Sequence, residues 1–170
     1  MKRILEGFGV ESTEIDFVGF PRLNRYIQPT MTRAAVALIH RHAAILVCRR
    51  KKGSRYELKW EFPGGKIEAE ETVLSCLKRE LMEELNIGID HVDRIETHVN
   101  HYDDGGTVEV TYCFVSDFIG TPENRAFEEI RWVSLEELRT MDILSGNRAF
   151  ISKLADDDLR TRPGSQWGEG

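Results

Sequence analysis

Apolar residues recur along this chain with two different periods, and each change of period marks an element. From Arg33 the runs RAAVALIH and AAILVCRR are strand-like and are separated by about two residues, Arg41 and His42, which predicts a hairpin. LKWEFP reads as a short strand stopped by Pro63, and the pair Gly64-Gly65 then makes a loop. Between Glu71 and Asn86 the period becomes helical. At about 100° per residue, Leu74, Leu77, Leu81 and Leu85 fall in one stripe that must face a core. IDHVDRIETHV and TVEVTYCFVSDF flank the turn DDGG as a second hairpin, and EEIRWV is a further strand. Ser134 followed by Glu137 is a capping box that opens a helix over LEELRTM. A last helix is expected from Gly146 to Leu154. Strands in runs with helices on their flanks predict an α+β architecture, a mixed sheet sandwiched between helices.

The organisation follows from where this patterning stops. Residues 1–30 carry only a weak alternation (Ile15, Phe17, Val18, Phe20) and read as an N-terminal extension, laid on the domain or on a second copy in a homodimer. Residues 31–156 form one domain, and 157–170 a polar C-terminal tail. A chain of 170 residues suits that single domain and not two full ones. Its net charge of −6, with lysine and arginine scattered among the acids, argues against a nucleic-acid or anionic-membrane partner. An anionic small molecule would need local positive charge or metal ions. Cys48, Cys76 and Cys113 show no CxxC spacing, so neither disulfides nor a zinc cluster is expected, only buried reduced thiols. The N-terminus lacks the apolar core of a signal peptide, and no run approaches the roughly 18 apolar residues of a membrane span, so the cytoplasm is the expected location.

The chemistry concentrates in one helix. Glu80, Glu83 and Glu84, at i, i+3 and i+4, project together from a face next to the leucine stripe. As a solvated acidic face this placement is poor. The Glu80/Glu84 pair costs about 0.2 to 0.5 kcal/mol by like-charge repulsion, and each acid in the last turn opposes the helix dipole by about 0.3 to 1 kcal/mol. Clustered carboxylates become favourable when they hold a hard divalent cation, which takes oxygen ligands. Gly64 and Gly65 allow the backbone to approach a ligand closely, and Lys66 adds a positive charge beside them. The spacing is not that of a Walker A loop. Arg49 and Arg50 end a strand, either gripping phosphates or as solvated charges. His40, His42, His98 and His101 read as surface or core residues, and for at least one of Trp60 and Phe62 core packing is preferred over base stacking.

Together these residues resemble the signature of the Nudix hydrolases, G-x5-E-x7-R-E-U-x-E-E-x-G-U, with U a bulky aliphatic residue. Gly65, Glu71, Arg79, Glu80, Leu81, Glu83, Glu84 and Ile87 fall in register. The six fixed matches would coincide by chance on the order of once in ten million start positions, which excludes accident. Asn86 stands where the family has glycine, and asparagine tolerates the left-handed conformation of a helix end. The resemblance runs from about Arg33 to Leu154 and is nearest to the MutT-like branch, in VALIH, CRR, WEFPGGKIE and IRWVSLEEL. It implies a Nudix-type α/β/α sandwich and a Mg²⁺-dependent hydrolase, with Mn²⁺ as the alternative ion. The implied activity is that of a nucleoside triphosphate pyrophosphohydrolase giving nucleoside monophosphate and pyrophosphate, on oxidised nucleotides such as 8-oxo-dGTP. The alternatives are nucleoside diphosphate sugars, dinucleoside polyphosphates or CTP, or a regulatory domain that binds nucleotide without cutting it.

By position, the resemblance implies that Glu83 and Glu84 are metal ligands, Glu80 is a ligand or the water-activating base, and the Gly64 carbonyl is a further metal contact. Arg79 would orient the carboxylates, and Glu71 would be a structural contact at the helix start. The family also supplies an acid from the loop before the strand that carries Trp132, where Glu128 is preferred over Glu129. Arg50, Lys66 and Asn147 are the expected substrate contacts. Asn147, where the last helix begins, is either its N-cap or the residue that reads the base.

Overall fold

Alternation along the first apolar run divides its side chains between two cores. In the computed structural model, which describes residues 31–159, strand β1 (Thr32–Arg41) directs Leu38 into one buried cluster and Ala35, Ala37 and Ile39 into the other. β2 (Ala44–Arg49) does the same with Ile45 and Val47 against Leu46 and Cys48, as successive strand residues must. Residues 160–170 and the expected extension over residues 1–30 lie outside the described residues.

β1 is central because both of its edges are paired. It runs parallel to β6 (Thr107–Val115) from Thr32 to Ile39. On its other side it meets β4 (Gly64–Lys66) at Ala34–Val36 and β2 at His40–Arg41, both antiparallel. β3 (Trp60–Glu61) and β7 (Glu129–Ser134) both pair with β2, and β5 (Arg94–His101) closes the far edge beside β6. The result is a mixed sheet of seven strands in the order β3-β2-β1-β6-β5, with β4 beside β1 and β7 beside β2.

Helix α1 (Val73–Leu85) lies on one face and buries Cys76, Leu77, Leu81 and Leu85, at about 1.5 to 3 kcal/mol for each leucine. The small residues Ala35, Ala37 and Cys113 face it from the sheet. On the opposite face α2 (Leu135–Thr140) and α3 (Ser145–Ile151) cover Leu38, Tyr112 and Phe114. A short 3₁₀ turn, Asp156–Leu159, buries Leu159, and Asp158 pairs with Arg94 at 2.8 Å. The α+β sandwich is thus the observed architecture. All three cysteines are free and buried. No helix among the described residues is long and apolar enough to cross a membrane.

Several element boundaries differ from the sequence reading. The first hairpin turns at His42 and Ala43, both with positive φ (51° and 63°), one residue later than expected. Pairing Arg41 with Ala44 keeps each apolar residue on its own face, and a slip by one would invert them all. LKWEFP pairs only over Trp60–Glu61, and Gly64–Lys66, expected as a loop, is a strand against β1. α1 is shorter at both ends than Glu71–Asn86. The last helix begins at Ser145 and stops at Ile151.

Candidate functional site

The ends of α1 are set by specific caps. Ser75 N–H donates to Thr72 Oγ1 (3.1 Å) and Thr72 N–H donates to Ser75 Oγ (2.8 Å), a reciprocal capping box with serine in place of glutamate. At the other end Asn86 takes the left-handed conformation (φ 56°, ψ 35°) and its N–H reaches the Leu81 and Met82 carbonyls. No basic residue sits in the last turn. The Glu84 and Leu85 carbonyls instead accept from the N–H groups of Arg125 (3.0 Å) and Glu123 (2.8 Å). These contacts dock the segment leading to β7 against the acidic end of the helix.

Arg79 organises the carboxylates. Its Nε and Nη2 donate to Glu71 Oε1 and Oε2 (2.9 and 3.0 Å), and its Nη1 donates to Glu80 Oε1 (2.7 Å) and lies 3.8 Å from Glu83 Oε2. Glu71 also accepts from the Glu68 N–H, and the Arg79 guanidinium together with that bond holds its carboxyl down at about 2. Glu83 is exposed, whereas the Glu80 side chain is largely covered. The backbone of Gly65 lies so close to the Glu80 carboxylate that any side chain there would overlap it. Gly64 N–H donates to Glu84 Oε2 at 3.0 Å.

The three glutamates are engaged separately, Glu80 by Arg79 and Glu84 by the Gly64 N–H, while Glu83 is exposed. Among the described residues no three acidic, histidine or cysteine side chains form a metal-holding group. The chemistry of Glu84 nevertheless fits a hard cation. Burial pushes its carboxyl up to about 8, against the Gly64 N–H bond, and the charges of Glu80 and Glu61 add to the rise. A half-buried carboxylate beside Glu80 and Glu61 has only the weaker pull of Arg50 against their charges, and its oxygens are ligands of the kind a hard cation takes.

That displacement has a measurable consequence. Between its ordinary value of 4.5 and about 8, the folded protein binds a proton at Glu84 that the unfolded chain does not. Stability of the metal-free protein therefore falls as pH rises through this window. The metal-free Tm is expected to be lower at about pH 8.5 than at about pH 6, and Glu84→Gln should flatten that slope. Equal slopes in the two proteins would assign the dependence to other groups.

The glycine pair also borders a cavity of about 490 Å³ on the far side of β4, a size suited to a small-molecule ligand. Arg50, Lys66 and Asn147 all line it. Arg50 is not a solvated strand end: its Nη1 reaches both Glu61 oxygens at 2.8 Å and its Nε donates to the Arg55 carbonyl at 2.7 Å. Arg49 instead donates to the Leu58 carbonyl (3.1 Å). Lys66 is exposed. Asn147 is not a cap, because α3 starts from Leu144 with no side-chain cap and Asn147 is buried in the first turn. Glu128 is exposed just before β7 and does not line the cavity, while its N–H donates to the Arg49 carbonyl (2.9 Å). His98 packs edge-on to Tyr112 and Phe150.

Sequence reasoning missed Glu61, Asn100, Tyr102 and Tyr112. Glu61 is the buried partner of Arg50 and faces Glu84. Tyr102 stacks on Tyr56 at the cavity wall (5.5 Å). The available signal for Asn100 and Tyr112 was polarity at core-facing parity on adjacent strands.

Comparison with known proteins identifies the family. The family model described as NUDIX domain matches residues 29–154. The 8-oxo-dGTP diphosphatase of Haemophilus influenzae is 30% identical over 126 residues, covering 73% of this chain and 90% of that protein. The CTP pyrophosphohydrolase of Escherichia coli is 33% identical over 107 residues, covering 63% and 78%. The crystal structure of MutT protein from Methanosarcina mazei superposes with a TM-score of 0.65 at 26% identity, over 72% of this chain and 91% of that one.

Proposed function

The chain belongs to the NUDIX domain family as a MutT-like Nudix hydrolase, and from that premise we propose that it is a pyrophosphohydrolase of nucleoside triphosphates, giving nucleoside monophosphate and pyrophosphate. The observation that carries the reading is a continuous arrangement. Gly64 and Gly65 touch the glutamates of α1 on one side and line the cavity holding Asn147 on the other.

Nudix hydrolases use a divalent metal; here Mg²⁺ is the proposed ion, with Mn²⁺ as substitute, and Glu80, Glu83, Glu84 and the Gly64 carbonyl are its proposed ligands. Such an ion, when bound, neutralises phosphate charge and makes a bound water a better nucleophile. The protein's own groups supply the rest. Glu80, or Glu128 from the segment docked at the helix end, takes the proton of the attacking water. Arg79 holds Glu80 in place through its bond to Glu71, and Arg50 and Lys66 receive phosphate oxygens at the cavity rim.

The proposed substrate is an oxidised guanine nucleotide such as 8-oxo-dGTP, read by Asn147. CTP is the second reading, supported by the 33% identity to the CTP pyrophosphohydrolase of Escherichia coli. Nucleoside diphosphate sugars and dinucleoside polyphosphates rank below both. A cytoplasmic homodimer is part of the proposal. A nucleotide panel with Mg²⁺, in which pyrophosphate, orthophosphate and nucleotide products are measured separately, tests it. Pyrophosphate and monophosphate are expected in equal amounts from each triphosphate cleaved, and steady orthophosphate release from pure substrate would contradict the reading.

A further inference from the structure

Two polar side chains buried behind the cavity have no task in the reading above. Asn100 on β5 donates from Nδ2 to the Tyr112 hydroxyl on β6 (2.6 Å), and that hydroxyl donates to Asn147 Oδ1 (2.8 Å). Asn100 and Asn147 are each only 5% exposed, and Tyr112 is fully buried. The Tyr112 ring is stacked on Phe150 with centroids 3.7 Å apart and lies edge-on to Phe62, so the hydroxyl is fixed in place. Burial keeps it protonated well above the ordinary tyrosine range, and it remains a donor throughout the working pH range.

The direction of this chain of bonds decides what Asn147 can offer a ligand. Its oxygen is engaged by the Tyr112 hydroxyl. Its Nδ2 makes no hydrogen bond among the described residues, and the residue lines the cavity. An amide held this way presents a donor. With Asn100 donating to the hydroxyl, turning the Asn147 amide over would set its NH₂ against the hydroxyl proton and leave that proton unpaired.

We propose that Asn100 and Tyr112 are positioning residues that lock the Asn147 amide with its NH₂ toward the cavity, so that the site selects a base offering a keto oxygen there. The inference rests on the reading of Asn147 as a base contact. Guanine and 8-oxoguanine carry a 6-keto acceptor, whereas adenine carries an amino donor at that position, and a locked donor leaves the adenine group unpaired. An unlocked amide could turn over and accept from adenine instead.

The test compares kcat/KM for 8-oxo-dGTP and dATP in the full chain with Mg²⁺, at a temperature where each variant is folded. In Tyr112→Phe, which keeps the ring and removes the hydroxyl, the preference for 8-oxo-dGTP is expected to fall about fivefold, the worth of one hydrogen bond. The change should lie in KM, with dATP holding or improving while 8-oxo-dGTP weakens. Asn100→Leu should move the ratio in the same direction and decides the question if Tyr112→Phe does not fold. A parallel loss on both nucleotides would show a merely structural role and overturn the inference. Asn147→Ala separates the two levels. An unchanged ratio in that variant removes the base contact itself. A changed ratio there, with wild-type ratios in Tyr112→Phe and Asn100→Leu, removes the positioning role alone.

Discussion

Glu84→Gln is expected to lower kcat by about a hundredfold or more while leaving the metal-free protein at least as stable as wild type. The two effects separate because the carboxylate serves the reaction at the expense of the fold. Its carboxyl is half-buried beside Glu80 and Glu61 and is pushed up to about 8, so ionising it costs the metal-free fold. The amide oxygen of glutamine can still accept from the Gly64 N–H that now reaches Glu84 at 3.0 Å, so no donor is orphaned. Glu83→Gln should give a loss of similar size with almost no change in Tm, since Glu83 is exposed and its nearest cation, Arg79, is 3.8 Å away. Steady-state kinetics and thermal melts on the same preparations check both expectations. Near-normal turnover in both variants would sink the metal-site assignment.

The adjacent glycines should fail in opposite ways. Gly64 has φ +135°, and a Cβ there would overlap the Ala35 carbonyl oxygen and come within 2.8 Å of Val36 Cα. Both are backbone atoms of the central strand and cannot retreat. Gly64→Ala is therefore expected to cost about 3 kcal/mol or more and to lower Tm by roughly 10 °C. At Gly65 a Cβ would overlap only the Glu80 carboxylate, the far end of a side chain. Gly65→Ala should fold with a small change in Tm and lose activity, because Glu80 must leave the position Arg79 gives it. A Gly64→Ala protein that melts with wild type would mean that β4 does not pair with β1 as described.

The elements most legible in the sequence are those whose signals are local. The leucine stripe of α1, the Ser134/Glu137 box of α2 and the Asp103–Gly106 turn between β5 and β6 depend on residues within one or two turns of chain. The mixed α+β sheet could be inferred from them. Asn86 was also readable: asparagine accepts the left-handed conformation, and it occupies it here (φ 56°). The Thr72 cap escaped notice because Ser75 stands where the usual box has glutamate or glutamine.

What sequence by itself determined about this protein is its periodic elements and the composition of its acidic helix face, since both follow from side-chain spacing along one helix or strand. Tertiary structure alone decided which groups meet. β3 and β4, of two and three residues, exist only because β2 and β1 are there to pair with them. Arg50 is held by Glu61 across eleven residues of chain, and Asn147 by Tyr112 across thirty-five. At such separations no local preference specifies the partner. The packed core does so, by burying a donor where one acceptor remains within reach.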